Sequence, residues 1–340
     1  MSPRSAIVVV GGYGQVGSRV ARLLSMRGLD VTIAGRDGAR ADAVARVIGC
    51  GHATIDLRAR DTWERAVPKS ATVLCCMDQD DVEFVRWAVS RGCDYVDVTA
   101  SDDFFRPVES LTDAAAAAGS TVVLSVGLAP GMTNLLTRLC AEQLEQCSDV
   151  QIAILLGLGD RHGDAAIEWT LDRLGRVPDS SSLVPVRFPS RSSSCWAVPF
   201  DIADQHVVKR TLGIERATTV VTLESSFWTR TAVALRAVLR RRTIRRMVGR
   251  FAGRGLLGSE GWALAVEASG LKGGLPHRAR ATLTGDREVD ATALVAARVI
   301  ELLPNYRRPG VYHVEQMIDI ETLVHGQDAL RPSGVIVSAG

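Results

Sequence analysis

The stretch AIVVVGGYGQVGSRVARLL, residues 6–24, decides the fold. Apolar, mostly β-branched residues run from position 6 to position 10 and stop at two glycines, the mark of a short buried strand. Val20, Leu23 and Leu24 then recur at helical spacing, and Gly28 closes the run. Between strand and helix stand Gly12, Tyr13, Gly14, Gln15, Val16 and Gly17, which spell G-x-G-x-x-G. That pattern is weak alone and far more specific in this setting. Gly12 permits the tight turn, Gly14 lets a pyrophosphate approach the backbone, and Gly17 lets the helix pack close to the strand. The helix N-terminus then offers unpaired N–H groups to the phosphates.

Outward from this turn, strand-like and helix-like segments alternate. DVTIAG, HATIDL, ATVLCCM, DYVDVT and STVVLSVG read as further strands, with helical patterns between them. Alternation at this spacing predicts a parallel sheet covered on both faces. Past Gly127 the pattern changes. DVQIAILLG, ATTVVTLESSF, WALAVEASG and HRARATLTG are longer and partly alternate, and LKGGLP reads as a hairpin connection. PDSSSLVPVRFPSRSSSCW reads as an irregular crossing or a mobile loop. The expected fold is α/β: a Rossmann doubly wound parallel sheet plus an inserted α+β domain with a mixed or antiparallel sheet. The expected boundaries are 1–127 for the nucleotide domain, 128–287 for the inserted domain, and a return to the first domain over about 288–340.

The second strand ends at Gly35 and Arg36, nineteen residues past Gly17. An acidic residue there would bond the ribose 2′-hydroxyl and repel a 2′-phosphate. A glycine removes the obstruction, and an arginine makes a charge-assisted fork to the phosphate. The expected cofactor is therefore NADP rather than NAD. Asp56, after the third strand, is a candidate acceptor for the adenine amino group or an N-cap of the next helix. Cys76 and Met77, between Cys75 and Asp78, end the fourth strand where such a loop flanks the cofactor's ribose and pyrophosphate.

Composition narrows the function classes. Of the 340 residues 46% are apolar, enough for a large core, and the formal charge of +2 implies no general polyanion binding, so no nucleic-acid partner is expected. Seven cysteines with no framework spacing read as reduced thiols of a cytoplasmic protein. No charge occurs over 114–137, but its glycines, proline and asparagine argue against a transmembrane segment. No Ser/His/Asp, metal-ligand or paired-carboxylate pattern stands out.

Three passages together resemble the saccharopine dehydrogenase-like NAD(P)-dependent reductases. They are VVVGGYGQVGSRVARLL with VTIAGRD, then RGCDYVDVTA, then AAAAAGSTVVLSVGLAPGMTNLL with its G-x-x-P-G turn. GDRHGDAAIEW and GVYHVEQMI are weaker echoes. The resemblance covers about the first 140 residues well and the rest loosely. It implies hydride transfer to or from a C–N bond of an amino-acid-like or secondary-metabolite substrate, and a homodimer formed through the inserted domain. It also implies that Thr99, Ala100, Gly127, Leu128, Pro130 and Gly131 line the nicotinamide. The alternatives are reduction of another polarised double bond in a lipid or carrier-bound metabolite, and a non-catalytic NADP sensor.

Imine reduction needs a proton donor. Asp97, Asp102 and His162 are weak candidates, followed by His206 and His277. Residues 230–254 carry nine arginines and no acid. They read either as amphipathic surface helices or as a dock for an anionic partner such as an acidic carrier protein.

Overall fold

The computed structural model describes residues 6–159, 164–177, 182–188, 191, 193–239, 241, 258–327, 330–332 and 336–339. It divides into two compact units, Met1–Met132 with Thr292–Leu323, and Thr133–Ala291 with Val324–Gly340.

The first unit is built on seven strands: β1 (Ala6–Val10), β2 (Asp30–Gly35), β3 (Gly51–Thr54), β4 (Thr72–Cys75), β5 (Asp94–Asp97), β6 (Thr121–Leu124) and β13 (Gly310–His313). Their order is β13-β6-β5-β4-β1-β2-β3, and every pair is parallel. The helices between them are α1 (Gln15–Met26), α2 (Gly38–Ile48), α3 (Trp63–Ala66), α4 (Glu83–Ser90), α5 (Asp102–Glu109) and α6 (Thr112–Ala117). Strands 1, 4, 5 and 6 are almost wholly buried, as apolar runs covered on both faces must be. The order reverses between β1 and β4, where open α/β sheets bind ligands beyond their carboxyl ends. Trp63, Phe84, Trp87 and Tyr95 pack edge-on or stacked below β4 and β5, with centroids 5.3–6.4 Å apart.

The second unit holds a mixed sheet of order β14-β12-β11-β7-β10-β9-β8, with β15 also paired to β12. Its strands are β7 (Gln146–Leu156), β8 (Val184–Val186), β9 (Cys195–Pro199), β10 (Arg216–Leu223), β11 (Gly261–Lys272), β12 (Leu275–Asp286), β14 (Arg331–Pro332) and β15 (Ile336–Ala339). Only β7 and β10 run parallel; the other pairs are antiparallel. Gly273 and Gly274 both have positive φ, 60° and 71°, and close the β11–β12 hairpin as a two-residue turn that glycine makes cheaply. Helix α7 (Thr133–Ala141) packs on β7, β11 and β12.

The structure departs from the sequence reading at several points. Short strand β8 forms within the Ser/Pro-rich segment and β9 begins at its end, at the sheet edge where proline is tolerated. Helix α5, not anticipated, follows β5. The last seventeen residues cluster with the second unit, because β15 pairs with β12 from His277 to Arg280. Among the described residues no helix is long and apolar enough to cross a membrane.

Candidate functional site

The loops at the carboxyl ends of the first unit's strands are tied by one row of backbone hydrogen bonds. Gly11 and Gly12 N–H donate to Ala34 O at 2.8 and 3.2 Å. Cys76 N–H donates to Val10 O (2.9 Å), Val98 N–H to Cys75 O (3.2 Å) and Val126 N–H to Asp97 O (3.1 Å). This row places the glycine turn, the end of β2, residues 75–78, residues 97–100 and residues 125–131 side by side along one edge of the sheet.

The three motif glycines do different work. A Cβ on Gly12 would lie 2.5 Å from Ile33 Cβ, and one on Gly17 would lie 2.5 Å from Gly11 O and 2.9 Å from Gly12 Cα. Both are packing glycines. A Cβ on Gly14 would meet only Gly11 O, at 3.0 Å, and otherwise projects into open space above the start of α1. Gly14 is the N-cap of α1 and no side chain caps that helix, so its first N–H groups are left for an anion. Gln15 is exposed with its side chain held by Arg19 at 2.6 Å, and Val16 is half-buried.

The end of β2 is cationic. Arg36 is exposed and makes no hydrogen bond or ion pair among the described residues; Asp37 instead caps α2 by accepting from Arg40 N–H at 3.0 Å. Tyr13 lies flat over Gly35: a Cβ there would be 2.3 Å from Tyr13 Cε1. The Arg40 guanidinium stands 4.9 Å from the Tyr13 ring centroid. Gly35 thus makes room for Tyr13. Arg40, missed in the sequence, was signalled only by its place one helical turn past Arg36. The open cradle at Gly14 and two guanidiniums at the end of β2 fit an adenosine carrying a 2′-phosphate.

Asp56 sits at a tight turn. Its Oδ1 accepts from Arg58 N–H at 3.0 Å, and its carbonyl accepts from Thr62 Oγ1 and Trp63 Nε1. The Cys76 carbonyl packs against Gly11, with Met77 Cβ beside it, so this loop meets the glycine turn through its backbone. Burial raises the Cys75 and Cys76 thiols, with the Cys75 and Asp97 charges adding to the effect at Cys76.

Asp97 is fully buried. Its Oδ1 accepts from Thr99 N–H at 2.7 Å and from Thr99 Oγ1 at 2.5 Å. Its Oδ2 accepts from Tyr95 Oη at 2.7 Å and Gln79 Nε2 at 3.2 Å. Burial pushes its carboxyl up to about 6, against the lowering effect of the Thr99 and Tyr95 bonds. It organises the 97–100 turn that carries Thr99 and Ala100. Asp102 pairs with Arg106 at 2.9 Å in the first turns of α5. His206 pairs with Asp201 at 2.6 Å, and His277 bonds the Leu275 carbonyl; both lie in the second unit. His162 lies outside the described residues, as does most of 240–257 in the arginine-rich segment.

Gly127, Leu128, Pro130 and Gly131 form a buried turn over 127–131. Ala129 and Pro130 are extended, joined by a cis peptide, and Gly131 has φ 135°, which glycine alone adopts readily. Met132 N–H closes the turn on Gly127 O at 2.9 Å. Beneath it lies a constellation the sequence did not show: Ser125 Oγ, 2.7 Å from His313 Nδ1, whose Nε2 is 2.9 Å from Glu109 Oε1.

Residues 7–123 match the family model described as the saccharopine dehydrogenase NADP binding domain. No curated protein matches the chain. Among solved structures, apo saccharopine dehydrogenase (L-Glu forming) from Saccharomyces cerevisiae superposes with a TM-score of 0.67 at 13% identity, covering 98% of this chain and 100% of that one. An engineered D-amino acid dehydrogenase superposes with a TM-score of 0.50 at 17% identity, over 95% and 99% of the two chains. At these identities the likeness is one of fold.

Proposed function

We infer that this saccharopine dehydrogenase-like oxidoreductase, whose nucleotide domain takes NADP, transfers hydride to or from a C–N bond of a small amino-acid-like substrate. The observation that carries the reading is the alignment of five loops along one sheet edge: pyrophosphate turn, 2′-phosphate arginines, residues 75–78, residues 97–100 and the 127–131 turn. The two structures similar in fold are named a saccharopine dehydrogenase and a D-amino acid dehydrogenase, and an amino-acid-like substrate is in keeping with those names.

Bound NADPH would supply the hydride. The chain's own residues do the holding. The first N–H groups of α1 and the open face of Gly14 grip the pyrophosphate, and Arg36 with Arg40 grips the 2′-phosphate. Thr99, Ala100 and the turn from Gly127 to Gly131 border the nicotinamide end. Asp97, locked by Thr99, Tyr95 and Gln79, fixes the backbone of that border and is too deeply enclosed to reach substrate. Hydride transfer asks little more of a protein than positioning and charge stabilisation. The family resemblance is what supports a homodimer formed through the second unit.

The test is the loss of NADPH absorbance with mixtures of 2-oxo acids and amines, followed by reduced-product analysis. Turnover with a new C–N bond in the product supports the reading. Tight NADPH binding with turnover only on enones or ketones would replace it.

A further inference from the structure

We propose that Ser125, His313 and Glu109 form a positioning relay that holds the 127–131 turn in the shape needed by the nicotinamide half of the cofactor. The proposal deepens the reading above and rests on it.

The relay's polarity follows from its partners. The His313 backbone N–H donates to Gln316 Oε1 at 2.9 Å, which holds the end of β13 in place. Nε2 faces the Glu109 carboxylate, an acceptor, at 2.9 Å. With Nε2–H donating to that carboxylate, the neutral ring keeps its lone pair on Nδ1. Ser125 Oγ, 2.7 Å from Nδ1, donates its own proton toward that lone pair. The order is Ser125 Oγ–H to His313 Nδ1, then Nε2–H to Glu109, the same sense of polarisation as in a serine hydrolase triad. Ser125 is fully buried, which excludes a nucleophile's task and leaves a structural one.

Three further observations join the relay to the turn. Ser125 is one of three described non-glycine residues with positive φ, at 57°, a backbone shape that L side chains adopt rarely and that clusters at functional sites. The Ser125 carbonyl lies directly against Gly131, where an added Cβ would be 2.8 Å from it. His313 ends β13, whose partner strand β6 leads straight into Ser125, and its ring is held edge-on by Phe105 at 5.4 Å. The hydroxyl bond thus fixes Ser125, and Ser125 fixes Gly131 by contact. Glu109, half-exposed on α5, holds the imidazole from the other side.

The experiment compares two ligands by fluorescence and calorimetric titration: NADPH, which reaches the turn, and 2′,5′-ADP, which reads only the adenosine end. Ser125→Gly removes the hydroxyl while easing the backbone. His313→Gln keeps a donor for Glu109 and loses the acceptor for Ser125, whereas His313→Asn keeps the acceptor. Ser125→Gly and His313→Gln are expected to weaken NADPH about tenfold, the effect of one buried hydrogen bond. Their affinity for 2′,5′-ADP is expected to stay within about twofold, and His313→Asn should recover most of the NADPH affinity. Glu109→Ala, at the more exposed end, gives the same pattern at about threefold without disturbing the core. Unchanged NADPH affinity in these variants, or parallel loss of both ligands, would overturn the relay. A wild-type protein that bound neither ligand would overturn the cofactor reading and the relay with it, a pattern distinct from both.

Discussion

Replacing Asp97 by asparagine should stabilise the first unit at neutral pH and do nothing in acid. The carboxyl is fully buried among Thr99, Tyr95 and Gln79, with no cation bonded to it among the described residues. Its proton is held up to about 6, against 3.8 for an ordinary aspartate. Between those values the folded protein keeps a proton that the unfolded chain has released. Stability therefore falls as pH rises through that window and levels off above about 6. At ~1.36 kcal/mol per unit the span amounts to about 3 kcal/mol. In Asp97→Asn the amide oxygen still accepts from both Thr99 donors. The new NH2 group faces Tyr95 Oη and the Gln79 amide, whose buried Oε1 has no partner in the wild type and gains one if that amide turns. Urea unfolding read by hydrogen exchange in peptides covering β4 to β6 isolates this unit. The variant's advantage over wild type should grow from near zero at about pH 3 to about 3 kcal/mol at about pH 7.5. A difference flat across that range would refute the reasoning, because it would mean that Asp97 ionises as it does in the unfolded chain.

Other substitutions separate holding the cofactor from holding the fold. Arg36→Asp should weaken 2′,5′-ADP about 30-fold, roughly the 2 kcal/mol of a charge-assisted bond, with no change in melting temperature; equal affinity in titration would remove Arg36 from the phosphate site. Gly17→Ala, whose Cβ meets backbone at 2.5 Å, should cost about 1–3 kcal/mol of stability in thermal unfolding. Gly14→Ala, with one contact at 3.0 Å, should fold nearly as wild type yet lose NADPH binding, and the opposite ranking would reverse the two roles. Arg307 forms an ion pair with buried Asp94 at 2.8 Å and donates to the Gly119 carbonyl. Arg307→Met takes the cation from that carboxylate, leaving it the Thr121 N–H at 2.7 Å, and should cost about 3 kcal/mol in calorimetry; an unchanged transition would show that the pair adds nothing.

Much of the nucleotide half was readable from local signals. The glycine turn and the alternation of strand and helix depend on neighbours a few residues apart, and so does the Gly273–Gly274 hairpin. Dihedral preference and periodicity act at that range, so the parallel α/β arrangement could be expected from the sequence. Arg40 escaped notice because its role depends on Tyr13 folding back over Gly35. Asp97 was visible as a candidate acid, but its enclosure by Tyr95, Gln79 and Thr99 was not. The short strands β8 and β9 were hidden by serines and prolines that an edge position tolerates.

What the sequence determined is the strand–helix alternation that opens the first unit and the glycine turn after β1. What only the tertiary structure decided are contacts between residues far apart in the chain: Ser125 with His313 across 188 positions, and Asp94 with Arg307 across 213. No local propensity encodes such pairs. They exist because β13, the last strand of the first unit's sheet, docks in parallel beside β6 and carries His313 to the end of a strand nearly two hundred residues earlier in the chain.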